Sequence, residues 1–401
     1  MMRKIAYLLI IALAAGCTSL PDRPYEEALL NLEVQLRFPE QFADAGYEGI
    51  EVTIEEMTTS NRYTAAADAD GYASFRVVKG VYRISANMRT DDAIFNGMAD
   101  RIKLTDGDVK MPLSLTYSKP GALVIKEIYC GGCSKAPEQG TFALDKYFII
   151  HNNSYETLYL DGLCFGMLLP YNSNASNPYI IDGYLRDYAP VPDAVWRFKG
   201  SGEDFPLEPG EDAVVAVNGA VDHSAQYPLS VNLNNEAYFV CYDNILFPNV
   251  SYHPAPGDKI LPSHYLEVVR KTGQSNAFPL SQNSPAIVLF RAPEEVDFDE
   301  YINDAMGTVS RPGTVYIDAR IPWEWIVDGV EVYDGTKANN QKRLTNEVDA
   351  GFIKLSNTYL GHTLHRLLDE AATQTAGYEI YKDTNNSSND FYEREVQSLH
   401  K

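Results

Sequence analysis

Apolar and polar residues alternate along two short stretches near the start of the chain, at 32–38 and 50–55. This period of two is typical of half-buried β-strands. Similar short apolar stretches follow the turn signals at 68–71 and 79–80, and others lie at 102–104 and 111–115. The spacing predicts an antiparallel β-sandwich of about seven strands in the segment 30–117.

The rest of the chain, 118–401, continues the same pattern with wider spacing. The predicted strands lie at 122–129, 147–150, 158–163, 213–217, 237–242, 286–290 and 314–317. Long insertions rich in Asn, Pro and Tyr separate them at 169–192 and 244–284, and helical segments are predicted at 293–305 and 322–326. We therefore expect an all-β protein of two tandem antiparallel β-sandwiches with a few short helices.

The first residues are predicted to form a secretory signal. Arg3 and Lys4 precede an apolar run at 5–15, which ends in small residues. This run is too short to span a bilayer of roughly 30 Å as a helix. Residues 1–16 are therefore predicted to be a cleaved signal peptide.

Cys17 follows the small residues Ala14-Ala15-Gly16, and this arrangement resembles the lipobox of bacterial lipoproteins. The lipobox prefers Leu three residues before the cysteine, where this chain has Ala14. The resemblance implies that the thiol of Cys17 is acylated. Residues 17–29 would then form a lipidated tether below the first sandwich.

The charge of the chain excludes several classes of partner. The formal net charge is −22, and removal of Arg3 and Lys4 with the signal leaves −24. Such an acidic surface repels nucleic acid and anionic lipid headgroups. We expect the lipid on Cys17 to make the contact with the membrane.

The first predicted sandwich carries two hairpin motifs, Asp70-Gly71-Tyr72-Ala73-Ser74-Phe75 and Lys79-Gly80-Val81-Tyr82. These motifs resemble those of the transthyretin-like or carboxypeptidase-regulatory-like β-sandwich. The resemblance implies a structural or adhesive module without enzymatic activity.

The second predicted sandwich resembles the lamin-tail domain, which has an immunoglobulin-like fold. Glu127, Tyr147, Asn152 and Leu160 occupy places of the family pattern. The family's closing tryptophan falls near Cys164 in this chain. The resemblance extends over about fifty residues and implies a β-sandwich body.

Four cysteines remain after Cys17, and they are Cys130, Cys133, Cys164 and Cys241. An exported protein meets an oxidising environment, so two disulfides are expected, with three pairings open. The pair Cys130 and Cys133 forms a C-x-x-C motif, but no helix pattern follows it that would favour redox catalysis. A zinc site would need further ligands at compatible spacing.

Three other groups of polar residues resemble catalytic or metal-binding motifs only in part. His362 and His365 would share one face of a helix predicted at 363–372, but the His-Glu-x-x-His motif is absent. Asp222-His223-Ser224 is expected to form a turn, since neighbouring residues cannot build a catalytic triad. The oxygen-rich stretch 383–390 is expected to form Asn-rich turns. We predict no enzyme, no metal and no cofactor.

Aromatic residues are concentrated in the long insertions and beside them. We assign a ligand-binding surface to the loop aromatics Tyr171, Tyr179, Tyr184, Tyr188, Trp196 and Tyr252. Tyrosines on loops over a rigid sandwich make good binding surfaces. The alternative is that these rings only cover the sheets.

The complete layout, with lipobox, two sandwiches and an Asn-rich ending, resembles uncharacterised surface lipoproteins of Bacteroidetes-type bacteria. The resemblance implies an outer-membrane lipoprotein, facing the cell surface rather than the periplasm. It would serve as a ligand-binding or accessory subunit for a TonB-dependent receptor in nutrient uptake, with iron or haem as candidate cargo. The alternative is a structural or adhesive surface protein without a small-molecule ligand.

Overall fold

A computed structural model describes residues 29–400 of the chain, except 91–92, 120, 193, 246–252 and 273–274. Cys17, the predicted signal peptide, the tether up to residue 28 and Tyr252 lie outside the described residues.

The first sandwich is built from eight strands. They are β1 (Leu30–Arg37), β2 (Glu51–Glu56), β3 (Arg62–Ala66), β4 (Tyr72–Val77), β5 (Gly80–Arg89), β6 (Ile94–Leu104), β7 (Val109–Ser114) and β8 (Thr116–Ser118). A three-stranded sheet of order β4-β1-β7 faces a five-stranded sheet of order β3-β2-β5-β6-β8. The alternating residues Leu32, Val34 and Leu36 point between the sheets and are at most 1% exposed. The period of two therefore places every second side chain of β1 in the core.

The second sandwich contains the later strands. They are β9 (Leu123–Tyr129), β10 (Cys133–Ser134), β11 (Thr141–Phe142), β12 (Tyr147–Asn152), β13 (Leu158–Tyr159), β14 (Cys164–Met167), β15 (Tyr188–Val191), β16 (Ala194–Arg197), β17 (Pro206–Leu207), β18 (Asp212–Ala216), β19 (Phe239–Val240), β20 (Glu267–Lys271), β21 (Ala286–Phe290), β22 (Thr308–Ser310), β23 (Ile317–Pro322), β24 (Ile326–Asp334), β25 (Ile353–Leu355), β26 (Thr363–Arg366) and β27 (Phe391–Arg394). Two six-stranded sheets, of orders β19-β18-β12-β9-β26-β27 and β20-β16-β14-β21-β24-β25, enclose the largest hydrophobic core.

A three-stranded sheet of order β15-β23-β22 adds a further layer beside this sandwich. Ala319 and Ile321 of β23 point into a separate hydrophobic core and are fully buried. Because side chains alternate along a strand, Asp318 and Arg320 lie on the opposite face of this sheet. That outer face carries part of the long insertion at 169–192.

The predicted all-β fold class is confirmed, although the strand pairing is not purely antiparallel. The pairs β1–β7, β18–β19 and β24–β25 are parallel. Each joins strands that are distant in sequence, so local alternation could not reveal their direction.

Helices are short wherever they occur in the described residues. They are α1 (Phe298–Tyr301), α2 (Glu370–Ala376) and α3 (Ser387–Asp390), with 3-10 turns at Glu40–Phe42, Pro262–His264 and Trp323–Trp325. The turn predicted at 322–326 is confirmed, whereas the helix predicted at 293–305 is reduced to the four residues of α1. No helix among the described residues combines the length and the apolar character that crossing a lipid bilayer requires.

The prediction of one helix over 363–372 is wrong. Residues Thr363–Arg366 form β26, which pairs with β9 and β27, and α2 begins only at Glu370. Asp369 caps α2, because its carboxylate accepts a hydrogen bond from the backbone N–H of Ala372. The cap therefore starts the helix only after β26 has ended, within a stretch whose apolar spacing predicts a single helix.

The two sandwiches meet at the segment 383–390. The Arg89 guanidinium donates to the carbonyl of Asp383 at 2.9 Å, and Asn96 donates to the carbonyl of Thr384. The backbone N–H of Gly121 donates to the Asp383 carboxylate at 2.8 Å. This junction places the predicted Asn-rich ending between the sandwiches.

Candidate functional site

The structure separates the predicted loop aromatics into two groups. Trp196, Tyr179 and Tyr188 are 0%, 1% and 9% exposed, whereas Tyr171 and Tyr184 are 40% and 77% exposed. The three buried rings lie inside the protein, so they support the surface and do not contact a ligand on it. These three rings therefore fit the alternative interpretation, in which the aromatic residues only cover the sheets.

A buried polar contact fastens the aromatic loop to β23. The hydroxyl of Tyr179 donates to the Asp318 carboxylate at 2.6 Å, and Asp318 is 1% exposed. Arg311 binds the same carboxylate with two hydrogen bonds of 2.9 and 2.6 Å. Because charge-assisted bidentate contacts fix geometry, the loop and the β22–β23 turn are both held at the Asp318 carboxylate.

Exposed apolar side chains lie on the segments that this contact holds. Val315 and Tyr316 of the β22–β23 turn and Ile317 at the start of β23 are 93%, 52% and 47% exposed. Ile181 and Tyr184 of the loop are 44% and 77% exposed. We call these five residues the apolar patch. They lie on two segments that share the Asp318 anchor, and exposed large apolar side chains are typical of interaction surfaces.

A second candidate site is an open groove of about 870 Å³ beside β17, β18 and β19. Its rings are Phe205, Phe239 and His264, with centroids 4.5 to 5.8 Å apart. We call this the aromatic groove. Phe239 is anchored from below by Phe198, whose ring centroid lies 4.8 Å away.

The loop before Phe205 is shaped by one buried carboxylate. Asp161 accepts hydrogen bonds from the backbone N–H groups of Gly202, Asp204 and Phe205, at 3.0, 3.0 and 2.9 Å. Burial alone would raise the pKa of Asp161, but these N–H donors outweigh it and lower the pKa. Gly200 has a φ of +148°, and a Cβ there would overlap the Asp161 carboxylate, so the loop requires glycine at this position.

His264 reaches the groove from the 3-10 turn Pro262–His264. The next residues bind β19, since the backbone N–H of Leu266 donates to the carbonyl of Val240 at 2.9 Å. Burial lowers the pKa of His264, which favours the neutral imidazole.

Charged side chains line the rim of the aromatic groove. They are Lys199, Asp204, Glu211 and Asp212. Asp212 accepts hydrogen bonds from His151 and Lys126, both at 2.7 Å. Burial raises its pKa, but these two partners outweigh that effect and lower it. The rim therefore carries Asp204 and Glu211 against Lys199, since the Asp212 carboxylate is already paired with Lys126.

The structure corrects the expectation of disulfides. Cys130, Cys133, Cys164 and Cys241 are all free and buried. Cys130 and Cys241 point into the main core, Cys164 points into the core beneath β23, and Cys133 lies 3.7 Å from the Asp145 carboxylate. Only Cys130 and Cys241 thus share an environment, the main core. Burial raises the pKa of Cys133 to about 12, which makes it a poor nucleophile.

The remaining polar groups from the sequence also have structural partners. His362 contacts Glu393 at 2.7 Å, and His365 contacts the carbonyl of Arg366 at 2.7 Å. The two histidines are three residues apart along the chain, and their rings contact different partners. They therefore do not bind one metal together. Within the part of the chain that the structure describes, no three His, Cys, Asp or Glu side chains form a metal-binding group.

Asp222-His223-Ser224 forms a local turn, as the sequence predicts. The Ser224 hydroxyl donates to the Asp222 carboxylate at 2.6 Å, and the His223 ring contacts the carbonyl of Gly219 at 2.5 Å. The histidine therefore lies away from the serine, and the three residues do not assemble a triad.

The comparison with protein families finds one similar family. Residues 208–398 match the family described as "Protein of unknown function (DUF4876)". This part of the chain, just under half of its length, is similar to that family. The match begins before β18 and includes Phe239, His264 and the β22–β23 turn, whereas Phe205, Ile181 and Tyr184 precede it, so it contains only part of each candidate site.

A solved structure shares this architecture over nearly its whole length. The crystal structure of a DUF4876 family protein from Bacteroides thetaiotaomicron is 25% identical, with a TM-score of 0.59, and the alignment covers 92% of this chain and 95% of that one. None of the curated proteins compared with the chain matches it.

Two further solved structures are similar over only part of this chain. A DUF3823 family protein from Parabacteroides merdae is 11% identical with a TM-score of 0.19, covering 36% of this chain and 67% of that one. The full-length major pilin SpaD of Corynebacterium diphtheriae is 11% identical with a TM-score of 0.18, covering 35% and 40%. These TM-scores are too low to support a shared fold.

Sequence reasoning missed the aromatic groove completely. Phe205, Phe239 and His264 are separated by 34 and 25 residues, and each lies in a different loop or strand. No local spacing connects them, although the apolar residues at 237–242 did predict β19. Only the packing of the long insertion 244–284 back onto β19 brings His264 to the other rings.

Proposed function

We propose that this protein is a lipid-anchored binding protein of the outer membrane, and that it serves as an accessory subunit of a TonB-dependent receptor. The observation that carries the proposal is the apolar patch. Tyr184 and Val315 are 77% and 93% exposed, on segments fixed to the buried Asp318. An exposed apolar side chain on a rigid base is typical of a docking surface.

The rigidity of these segments matters because a flexible loop loses conformational entropy when it becomes ordered on binding. The turn Ile181–Tyr184 is closed by two backbone hydrogen bonds of 3.0 and 2.9 Å. The Arg311 guanidinium lies 5.0 Å from the centre of the Tyr316 ring and fixes that ring beside the turn. A partner would therefore meet a preformed surface, and more of the contact energy would appear as affinity.

Charged side chains near the patch are paired with one another. Arg311 binds the buried Asp318, and Asp182 lies in the loop turn between Ile181 and Tyr184. Arg320 is 42% exposed and lies 3.9 Å from the exposed Asp187, a weak surface pair. Tyrosine with arginine is the composition enriched in protein interfaces. We infer a protein partner with an apolar pocket.

The membrane setting rests on the sequence around Cys17. Acylation there would hold the sandwiches at the outer membrane, with the cell surface favoured over the periplasmic face. A receptor in the same membrane would then be available at high effective concentration. Iron or haem is the cargo that we propose for such a receptor system.

The test is capture of the receptor by the lipidated protein in mild detergent. The wild type and a Tyr184→Ala, Val315→Ser double variant are compared. The control is Tyr155→Ala, Val396→Ser, which makes the same changes at side chains that are 67% and 51% exposed elsewhere. We expect a TonB-dependent receptor to be captured by the wild type and the control, and to be lost with the patch variant.

Two outcomes would overturn the proposal. Equal capture by both double variants would remove the patch from the interface. Recovery of no TonB-dependent receptor, while cells lacking the protein attach less to surfaces, would favour the structural or adhesive alternative.

A further inference from the structure

We propose that the aromatic groove is a binding site for an organic cation with an apolar body, such as a substituted ammonium compound. This site is separate from the apolar patch and does not depend on the receptor proposal. The inference rests on the rings, the rim charges and the size of the groove.

The rings supply the attraction for a cation. Phe205 and Phe239 lie with ring centroids 5.3 Å apart, and His264 lies 4.5 Å from Phe239 and 5.8 Å from Phe205. Phe205 and His264 are only half-buried, so their rings remain accessible from the groove. The face of an aromatic ring carries partial negative charge, and grouped rings recognise quaternary ammonium ligands in this way.

The rim adds charge of the matching sign. Asp204 and Glu211 line the groove together with Asp212, which is paired with Lys126, and Lys199 is the single Lys or Arg among the lining side chains. Asp204 accepts hydrogen bonds from the backbone and hydroxyl of Ser201, at 2.8 and 2.9 Å. The excess of carboxylates favours a cation and disfavours an anionic ligand.

The carboxylates are held in place before any ligand arrives. Glu211 accepts a hydrogen bond from the backbone N–H of Glu208 at 3.0 Å, and Asp212 is held by Lys126 and His151 at 2.7 Å each. Prepositioned charges lose little entropy on binding. The lowered pKa of His264 keeps a positive charge away from the rings near neutral pH.

The groove is large enough for more than an ammonium headgroup. Its volume of about 870 Å³ lies within the range of ordinary small-molecule sites. Leu160, Leu207 and Ala213 are buried and line it together with the rings. A ligand would place its charged group near the rim and rings and its apolar body along these residues.

The test uses choline and its neutral isostere 3,3-dimethylbutan-1-ol, titrated into the complete protein by isothermal titration calorimetry. The two probes have the same shape and differ in charge. A cation–π site is expected to bind choline roughly 3- to 30-fold more tightly than the alcohol. Equal binding of both probes, or binding of neither, would overturn the proposal.

Variants locate the interaction. Phe205→Leu keeps an apolar side chain but removes the ring, and Glu211→Gln removes one rim charge. Both are expected to weaken choline binding at least about 3-fold while leaving the alcohol unchanged. Glu51→Gln, at the exposed first position of β2 in the first sandwich, makes the same charge change and should have no effect. Thermal melting verifies that each variant is folded, and unchanged choline binding in a folded Phe205→Leu protein would contradict the assignment.

Discussion

Arg366 and Asp328 form an ion pair inside the junction of the two sandwiches, with Nη2 2.7 Å from Oδ2 and the side chains only 2% and 3% exposed. The same guanidinium lies 3.2 Å from Asp383 and 3.7 Å from Asp390. Three buried carboxylates thus share one cation. Burial raises the pKa of Asp328 to about 6 and that of Asp390 to about 7. Asp328 and Asp390 therefore keep their protons to a higher pH than ordinary carboxyl groups do.

Asp390→Asn should gain stability relative to the wild type as the pH rises. A carboxyl group whose pKa is raised in the folded state stabilises the fold at low pH, and this contribution is lost as the pH passes its folded pKa. Since that pKa is about 7 against an ordinary value of 3.8, the stability difference between variant and wild type should change by about 2 kcal/mol between pH 5 and pH 8. Urea unfolding at both pH values measures it.

The amide is a suitable replacement at this position. Asp390 accepts hydrogen bonds from the backbone N–H of Thr384 and Asn386, and contacts the Thr384 hydroxyl at 2.7 Å. An amide oxygen can accept the first two, and its NH₂ group can donate to the hydroxyl. Asp44→Asn on the exposed surface is the control. A difference for Asp390→Asn that does not vary with pH would contradict the assigned titration.

Arg366→Met should destabilise the protein by about 3–5 kcal/mol at pH 8, because it leaves buried carboxylates without their cation. The same arginine donates to the carbonyl of Ile125 at 2.9 Å, and this bond is lost too. The loss should be smaller at pH 5, where the carboxyl groups take up protons. Arg62→Met removes an exposed pair with Glu55 and should cost about 1 kcal/mol or less. Chemical denaturation compares the variants, and equal losses for both would refute the central role of Arg366.

The first sandwich could be predicted well because its strands are half-buried and local. Residues 32–38 alternate regularly, and β1 occupies Leu30–Arg37. The strand β3 (Arg62–Ala66) was missed, because this edge strand is largely exposed and shows no apolar alternation. A strand can be predicted from the sequence when one of its faces is buried, because apolar and polar residues then alternate along it.

The candidate sites were less predictable for the same reason. Tyr184 was assigned to a binding surface from its place in a polar loop. Tyr179 in the same loop is buried, because its hydroxyl donates to Asp318, 139 residues away. Val315 and Tyr316 were assigned to a strand, whereas the structure has them in a turn before β23. These outcomes depend on contacts that are distant in sequence, which local patterns do not encode.

Gly200→Ala should disturb the aromatic groove. The added Cβ would overlap the Asp161 carboxylate that holds the loop before Phe205. Gly202→Ala is the matched control, since it also has a positive φ, of +124°, but no atom within 4 Å of the added Cβ. We expect Gly200→Ala to cost roughly 1–3 kcal/mol more than Gly202→Ala, and to weaken choline binding as well. Thermal melting and calorimetry measure both effects, and identical behaviour of the two variants would exclude the proposed role of Asp161.

The four buried cysteines should be free in the purified protein. Burial raises the pKa of Cys130, Cys133 and Cys164 to about 12 each, so alkylation should be slow in the native state. Iodoacetamide without reductant should label all four sites only after unfolding, as read by peptide mass spectrometry. The recovery of disulfide-linked peptides would show instead that the exported protein is oxidised.

The most direct test of the docking proposal is photo-crosslinking on intact cells that carry the lipidated protein. Benzoylphenylalanine replaces Tyr184 in the apolar patch or, as a control, the exposed Tyr155 on another part of the surface. The account predicts a covalent adduct with a TonB-dependent outer-membrane receptor from position 184 and none from position 155. Adducts of equal yield from both positions, or no receptor adduct from position 184, would contradict it.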